Sequence, residues 1–358
     1  MKEPIPLPDP LLNHTPWENE INPIWPASLF ILRRNLNKYL FPTKMNPSEF
    51  QQTFEILKDR VLKTPALDQP ICLKAEELSA LCKQFLFEHF LCRESFQNTS
   101  THQGFIVDTS SRFMAMLNIE DHLQLQMVDY KGAWENTWNT LNKMETALGE
   151  TLEYAFNSRF GYLTSNPALS GTGFTVHVFL HLPALIHTEQ LLDTLTKLKE
   201  EEVTVSGMQG SLDELVGDLV ILQNTYTLGV NEENILHALH SMAMKLMALE
   251  KTLRTHIQTE NHLEIKDLVC RAFGLLMHSY QLQTKEALSS LSLLSLGLDL
   301  GWIAGVTHQT LYNAFFTCRR SHLLHALNEK NTEEHEIPRK RAEYLHKILH
   351  GIELKIAV

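Results

Sequence analysis

Two short groups of residues in this chain have the types and spacing that could act on a ligand. Gly171-Thr172-Gly173 lies in a loop rich in Gly, Pro and Ser, and glycines let backbone N–H groups come close to a ligand. Glu120-Asp121-His122 offers two carboxylates and an imidazole, which are residue types that move protons in many sites. Taken alone, the second group is also what an ordinary polar turn between two strands contains.

The residues around the glycine loop predict the strands that hold it. The stretch at 161–185 reads GYLTSNPALSGTGFTVHVFLHLPAL, which indicates a short strand, the loop and a long alternating strand. Five apolar residues of the long strand share one face: Phe174, Val176, Val178, Leu180 and Leu182. Four other residues share the opposite face: Thr175, His177, Phe179 and His181. The loop therefore precedes a strand with one uniformly apolar side.

Helical and strand periodicities alternate through the first two thirds of the chain. Amphipathic helices are predicted over 46–63, 74–96, 132–158 and 188–201. Further strands are predicted over 104–108, 113–118, 123–128, 203–205 and 219–227. Strands joined by short turns and covered by helices predict an α+β fold with a mainly antiparallel sheet.

From residue 230 onward the pattern is entirely helical. A 4/3 spacing of apolar residues indicates a helix packed along a seam, more often core than partner groove: Ile235, Leu239, Met242, Leu246, Leu249 and Leu253. More helices are predicted over 265–280, 284–300, 309–318 and 338–350. We therefore expect an irregular lead at 1–20, an α+β domain at 21–258 and a helical domain at 259–358.

Composition restricts the class of protein. A net charge of −11 argues against direct binding to nucleic acid, which needs a basic surface. The absence of a long apolar run argues against a membrane span, and the N-terminus does not resemble a signal peptide. Five cysteines without a CxxC pair predict reduced thiols and a cytoplasmic protein. The 18 histidines lack metal-binding spacings such as HExxH, so no metal site is expected.

The stretch at 161–185 resembles the signature of the ATP:guanido phosphotransferases, GYLT-x-CP-x-x-x-GT-x-x-RASV-x-x-x-LP-x-L. Its frame is present, while Thr175 stands at the place of the arginine and Asn166 at the place of the cysteine. The resemblance covers roughly residues 20–350 and is closest to the bacterial protein-arginine kinases, which carry a helical C-terminal domain. It implies the guanido-kinase fold, an antiparallel sheet flanked by helices, followed by that helical domain.

Other segments extend the resemblance and imply roles for single residues. Glu88-His89-Phe90-Leu91 is similar to x-HLIS, whose histidine lies beside the nucleotide, so His89 is assigned there. Residues 118–125, NIEDHLQL, resemble NEEDHIRI, whose second glutamate binds the guanidinium and is retained as Glu120. The resemblance also places metal-bound ATP over Gly171, Thr172 and Gly173. TLG at 227–229, followed by two glutamates, matches a structural turn.

The family arginines that contact the nucleotide are replaced. Leu32-Arg33-Arg34-Asn35-Leu36 is similar to the end of S-R-x-R-L-A-R-N-L, and residues 205–211 lie where the family has V-R-G-x-Y-G-E. Across the motifs the five matching positions are uncharged: Leu29, Ile31, Gln124, Thr175 and Ser206. Because one charge-assisted contact contributes about 1.5–3 kcal/mol, this loss predicts phosphate binding weaker by more than about 4 kcal/mol, roughly a thousandfold. Arg33 could substitute in part, and no Walker-type loop replaces the arginines.

The helical domain resembles the part of protein-arginine kinases that binds phosphoarginine through R-D-x-x-R-A. In residues 336–342, EIPRKRA, the Arg341-Ala342 pair fits, while the leading Arg-Asp falls on Ile337-Pro338. Ser295 occupies the place of a further family arginine. The resemblance therefore implies a weakened phosphoarginine pocket with Arg341 as its candidate residue. The basic run 339–341 is alternatively a solvated helix start or a surface for an acidic partner.

These observations lead to one hypothesis and two alternatives. The hypothesis is a degenerate protein-arginine-kinase homologue, a pseudokinase or scaffold in protein quality control or stress response, without a cofactor. The first alternative is an active ATP-dependent protein-arginine kinase with divergent nucleotide contacts, with Mg-ATP as cofactor and Glu120 orienting the target guanidinium. The second alternative is a kinase that phosphorylates small guanidines, which would need the same phosphate-binding arginines. The resemblance implies a zinc-binding activator protein, a stress-response repressor and a Clp-type ATPase as partners, and leaves open a homodimer and arginines supplied in trans.

Overall fold

The computed structural model describes residues 5–17, 22–93, 95–198, 200–260, 262–329 and 332–356. Its strands are β1 Ala27–Arg34, β2 Ile71–Lys74, β3 Gly104–Val107, β4 Phe113–Leu117, β5 Leu123–Asp129, β6 Phe156–Asn157, β7 Gly161–Tyr162, β8 Phe174–His181, β9 Val203–Gly207, β10 Leu219–Asn224, β11 Ile303–Ala304 and β12 Glu353–Leu354. Eight of them form one antiparallel sheet in the order β2-β3-β4-β5-β1-β8-β10-β9. The pairs β6-β7 and β11-β12 form two small ribbons.

The helices cover this sheet and then continue as a separate layer. They are α1 Asp9–Asn13, α2 Pro47–Leu62, α3 Ala80–His89, α4 Trp134–Gly149, α5 Pro183–His187, α6 Leu191–Leu198, α7 Glu232–Glu260, α8 Leu263–His278, α9 Thr284–Asp299, α10 His308–Thr317, α11 Arg320–Ala326 and α12 Ile337–Ile348. Within the described residues, none of these helices combines the length and the apolar character needed to cross a bilayer.

Both faces of the sheet are buried, because successive side chains of a strand point to opposite sides. On the first face, Phe30 and Leu32 of β1 pack in one core with residues of α2, α4 and α7. On the second face, Leu29 and Ile31 pack in another core with residues of α3 and of the N-terminal lead. In the lead, residues 5–17 contribute three buried side chains to this second core: Leu7, Leu11 and Trp17. The rest of the predicted lead, residues 1–4 and 18–20, lies outside the described residues.

The long helix α7 connects the sheet to the helical domain. Its predicted seam packs on the first face through Ile235, Leu239, Met242 and Leu246, while Leu249 is exposed. Ile257, near its end, joins the core of the helical domain. The predicted boundary between residues 258 and 259 falls in the last turn of this helix.

A buried ion pair on α7 anchors the start of α5. The Glu250 carboxylate accepts hydrogen bonds from Ala184 N at 3.0 Å and from Leu185 N at 2.9 Å, in the first turn of α5. Arg254 Nε donates to Glu250 Oε1 at 2.8 Å, and the same guanidinium pairs with Asp299 at the end of α9. Two carboxylates from different layers thus share one arginine, which ties the sheet to the helical domain.

The predicted fold class, an antiparallel sheet flanked by helices and followed by a helical region, is confirmed. Two local predictions were wrong. The helix expected over 74–96 is shorter: Lys74 ends the edge strand β2, and α3 begins only at Ala80, after the N-cap Ser79 that accepts a hydrogen bond from Cys82 N at 3.1 Å, and ends at His89. The helix expected over 132–158 ends at Gly149. The central strand β1 was not predicted, because residues buried on both faces lack the polar alternation that marks a half-exposed strand.

Candidate functional site

A cleft that encloses about 450 Å³ opens on the second face of the sheet, between the central strands and the segment after α3. Its floor consists of side chains from β1, β4, β5, β8 and β10: Leu29, Ile31, Arg33, Met116, Gln124, Gln126, His177 and Gln223. Its walls come from three loops: Cys92, Arg93, Ser95, Phe96, Ile119, Glu120, Asn166 and Leu169. The cleft therefore combines residues that lie far apart in the sequence.

Strand register explains why several predicted positions meet here. Ile31 of β1 lies opposite Gln126 of β5 and opposite Thr175 of β8. Since the side-chain period is two, one face of the sheet carries all five positions at which the resemblance implies an arginine: Leu29, Ile31, Gln124, Thr175 and Ser206. Leu29, Ile31 and Gln124 line the cleft itself. Thr175 is buried beneath it, and Ser206 on β9 is not among the described residues of its lining.

Glu120 lies at the tight turn between β4 and β5 and is half-buried in the cleft wall. The next two residues hold this turn. Asp121 Oδ1 accepts hydrogen bonds from Asn35 Nδ2 and from Ser165 N, both at 2.6 Å. His122 N donates to Asn35 Oδ1 at 2.9 Å, and His122 Nδ1 accepts from Leu36 N at 2.9 Å. Asp121 and His122 therefore fasten the turn to the segment directly after β1 and to the loop at 163–173, which places the Glu120 carboxylate at the cleft.

Two arginines bring positive charge to the cleft. Arg33 Nη1 donates to Thr175 Oγ1 at 2.9 Å, and its Nε lies 3.9 Å from Asp121 Oδ2. Arg93 lies in the wall after α3, and its Nη1 donates to Gln223 Oε1 of the floor at 3.1 Å. Arg93 was missed by the sequence reasoning, because nothing in the segment after α3 indicates that its side chain turns toward the sheet.

His177 lies on the floor between these cations. Burial, reinforced by the charges of Arg93 and Arg33, lowers the pKa of His177 to about 3, so the imidazole is neutral. The two-residue period of a strand could have predicted that His177 faces the same side as Thr175, because it lies two positions further along β8. Beside it, Gln124 Nε2 lies 3.4 Å from Gln126 Oε1, and Gln126 Nε2 lies 3.3 Å from Cys92 Sγ. The floor between the arginines is thus polar but uncharged.

The glycine loop serves the structure through its backbone. Gly171 N donates to Tyr162 O at 3.0 Å and Thr172 N donates to Thr227 O at 2.9 Å, so two N–H groups of the loop are engaged within the chain. Gly171 has a φ of +112°, and a β-carbon there would lie 2.1 Å from Thr227 O. Asn166, at the place of the signature cysteine, lines the cleft and accepts from Ala168 N through Oδ1 at 3.1 Å. The loop thus fixes β7, β8 and the 227 turn together.

His89 lies in the interface between α3 and α11 and is not among the described residues that line the cleft. Its Nε2 donates to Ser111 O at 2.9 Å, and its ring stacks on His322 at a centroid distance of 5.6 Å. Burial lowers the pKa of His89 to about 3. Its assignment to the nucleotide stays a prediction, and the observed contacts are those of a core residue.

Arg341, the candidate of the phosphoarginine pocket, is buried at the start of α12. Its Nε donates to Cys318 O and its Nη1 to Leu282 O, each at 2.7 Å. Both acceptors are main-chain carbonyls, so these contacts join α12 to the ends of two neighbouring segments. Ser295, at the place of a further family arginine, lies 3.3 Å from His308 Nδ1 through its hydroxyl.

Comparison with known proteins covers nearly the whole chain. Residues 55–253 match the model of the ATP:guanido phosphotransferase C-terminal catalytic domain. Residues 262–356 match the model of the protein-arginine kinase McsB C-terminal domain. The chain is 31% identical over 337 residues to a protein-arginine kinase of Chlamydia pneumoniae, covering 93% of this chain and 94% of that protein. It is 32% identical over 289 residues to a protein-arginine kinase of Bacillus mycoides strain KBAB4, covering 80% and 81% of the two chains.

Solved structures share the fold at low sequence identity. A lombricine kinase superposes with a TM-score of 0.58 at 17% identity, covering 71% of this chain and 74% of that chain. A duplicated taurocyamine kinase from Schistosoma mansoni superposes with a TM-score of 0.59 at 19% identity, covering 75% and 38%. The fold, the two domain matches and the full-length relatives agree, and the chain belongs to the ATP:guanido phosphotransferase family.

Proposed function

We propose that this chain is an ATP-dependent protein-arginine kinase with divergent nucleotide contacts. The observation that carries the proposal is the convergence of Glu120, Arg33 and Arg93 on one cleft of the second face. Glu120 is the residue that the family resemblance assigns to the guanidinium, and the two arginines are cations suited to phosphate oxygens. The relatives named protein-arginine kinase support a protein substrate over a small guanidine.

The residues of the cleft fit the two charges that the reaction must bring together. A guanidinium is positive and would bind at the carboxylate of Glu120, which can also accept the proton that the attacking nitrogen releases. The phosphates are negative and would bind at Arg33 and Arg93, on either side of the neutral His177. Mg-ATP, when bound, supplies the phosphoryl group. The apolar side chains of Leu29 and Ile31 shield part of the floor from water.

The charge count sets an expectation for affinity. Two arginines stand in the cleft where the family motifs imply five, and each charge-assisted contact contributes about 1.5–3 kcal/mol. Because such contributions are not additive, we expect Mg-ATP binding roughly tenfold to a thousandfold weaker than in a site with all five.

The test is phosphorylation of an arginine-rich protein with millimolar Mg-ATP, read as acid-labile phosphate and by mass spectrometry. We expect phosphoarginine with the wild-type chain and none with Glu120→Gln, which preserves size and removes the charge. Glu135→Gln, at an exposed glutamate on α4, is the matched control and retains activity. Equal signal from wild type and Glu120→Gln would refute the proposal.

A second candidate function is a pseudokinase or scaffold in protein quality control. The observation that favours it is the apolar part of the floor at Leu29 and Ile31, which are 1% and 4% exposed and stand where two phosphate-binding arginines are implied. Under this reading, Mg-ATP at several millimolar does not raise the melting temperature, whereas a ligand of the folded state would raise it. A concentration-dependent rise with Mg-ATP rules this candidate out.

The remaining expectations concern location and partners. We propose that the protein acts in the cytoplasm, which its cysteine usage supports. We further propose protein partners of the kinds that the resemblance implies: a zinc-binding activator protein, a stress-response repressor and a Clp-type ATPase. Binding of purified candidates at micromolar concentration, measured by calorimetry, tests each one. The absence of binding for all three removes the scaffold candidate.

A further inference from the structure

We infer that Arg33 has taken over the phosphate contact of the arginine that is missing at position 175, and that Thr175 is the residue that positions it. This inference rests on the proposed nucleotide-binding function of the cleft. Arg33 would bind the phosphates, and Thr175 would orient Arg33.

The strand geometry places Arg33 over the vacated position. β1 and β8 are neighbours, and Ile31 lies directly opposite Thr175. Arg33 is two residues further along β1, so it projects from the same face. Its Nη1 donates to Thr175 Oγ1 at 2.9 Å, which brings the guanidinium to the side chain that stands where the signature has arginine. The positive charge of Arg33 on β1 therefore lies beside position 175 on the adjacent strand β8.

The position of Arg33 along β1 follows from the side-chain period of a strand. The motif that this segment resembles has arginine at the position of Ile31 and alanine at the position of Arg33. Two residues along a strand correspond to about 6.6 Å, which an arginine side chain can span while it stays on the cleft face. An arginine displaced by one residue along β1 would instead point its side chain to the first face of the sheet. Arg34 shows this outcome, because its Nε pairs with Glu145 of α4 at 2.7 Å.

The surroundings of Arg33 hold it in an orientation suited to an anion. Thr175 is 1% exposed, and its hydroxyl accepts from Nη1 at the base of the cleft. Asp121 Oδ2 lies 3.9 Å from Nε, while Asp121 Oδ1 is engaged by Asn35 and Ser165. Arg33 itself lines the cleft together with Arg93. A fixed guanidinium loses less entropy on binding a phosphate than a mobile one.

The test measures Mg-ATP affinity by calorimetry for a set of variants at constant ionic strength. Arg33→Ala is expected to weaken binding by about tenfold to a hundredfold, the loss of one charge-assisted contact. Arg33→Ala/Thr175→Arg restores the family arrangement and is expected to recover most of the affinity. Arg271→Ala, which removes an exposed arginine paired with Asp267 on α8, is the control and is expected to change nothing.

Variants of Thr175 separate a positioning role from a purely structural one. Thr175→Val removes the hydroxyl at similar volume and is expected to weaken Mg-ATP binding about threefold to tenfold and to flatten its salt dependence. Thr175→Ser keeps the hydroxyl and is expected to bind as the wild type does. Near-ultraviolet circular dichroism verifies the fold of each variant, and Arg33→Gln, which removes the charge but keeps a long polar side chain, serves if Arg33→Ala does not fold.

The outcomes distinguish this inference from the proposed function. If the wild type binds Mg-ATP and a folded variant without the charge, Arg33→Ala or Arg33→Gln, binds within twofold of it, the inference is wrong while the proposed function stands. If Arg33→Ala/Thr175→Arg binds Mg-ATP as weakly as Arg33→Ala does, an arginine at position 175 cannot replace Arg33, and the inferred substitution of one arginine for the other is wrong. If the wild type does not bind Mg-ATP at all, the proposed function fails, and the inference fails with it.

Discussion

Arg34 Nε donates to Glu145 Oε1 across 2.7 Å in an ion pair buried between β1 and α4. The same guanidinium donates through Nη1 to Thr172 O at 2.9 Å, and it lies 3.5 Å from the centroid of the Tyr162 ring. One arginine thus joins a helix, the glycine loop and the short ribbon before it. Arg34 belongs to the scaffold on one face of β1, while Arg33 belongs to the cleft on the other.

The first prediction concerns this buried pair. Arg34→Ala leaves the Glu145 carboxylate buried without its cation, so we expect a loss of about 3–5 kcal/mol in the free energy of unfolding, measured with urea. Arg271→Ala removes an exposed i,i+4 pair with Asp267 and is expected to cost less than about 1 kcal/mol. Similar losses in the two variants would contradict the assigned role of Arg34.

The second prediction concerns the backbone of the signature loop. A β-carbon at Gly171 would lie 2.1 Å from Thr227 O, whereas one at Gly132 has no heavy atom within 4 Å. Gly132 has a φ of +67°, so Gly132→Ala measures the cost of a left-handed backbone without a steric contact, about 1–2 kcal/mol. Gly171→Ala is expected to lower the free energy of unfolding in urea clearly more than Gly132→Ala does, because the turn at 227–229 must also move. Equal losses would show that the contact is unimportant.

The third prediction concerns pH. Burial lowers the pKa values of His89 and His177 to about 3 and that of His181 to about 4, whereas an unfolded histidine titrates near 6.5. The unfolded state therefore binds more protons between these values, and stability declines as the pH falls below about 6.5. Each such histidine contributes a slope of up to about 1.4 kcal/mol per pH unit.

Variants of two histidines test this dependence through unfolding free energies between pH 5.0 and pH 7.5. His177→Gln is expected to reduce the slope of unfolding free energy against pH by up to about 1.4 kcal/mol per pH unit, because it removes one buried neutral imidazole. His240→Gln, at an exposed histidine on α7, is the matched control for the substitution itself. An unchanged slope in His177→Gln would show that this ring does not resist protonation in the folded protein.

The fourth prediction separates a structural from a binding role at Arg341. Its guanidinium donates to Cys318 O and Leu282 O, so Arg341→Ala is expected to lose about 2–4 kcal/mol of stability. Free phosphoarginine at millimolar concentration is expected to leave the melting temperature of the wild type unchanged. A rise with phosphoarginine that Lys340→Ala retains and Arg341→Lys abolishes would instead support the implied pocket.

Local patterns predicted much of the sheet but not its centre. The alternation from Phe174 to Leu182 predicted β8 and the separation of its two faces, because the strand period is a property of neighbouring residues. β1 escaped prediction, since it is buried on both faces and its residues do not alternate in polarity. The Glu120 turn was predicted from its motif, while the anchoring contacts of Asp121 and His122 with Asn35 span more than 80 residues.

The sequence by itself determined the family and the α+β class, and it predicted five uncharged positions where the resemblance implies arginine, because motifs and periodicity are read from residues close in the chain. Only the tertiary structure decided which cations face the cleft. Arg33 and Thr175 are 142 residues apart and meet because β1 lies between β5 and β8. Strand order depends on packing across the whole sheet, so no local pattern contains it.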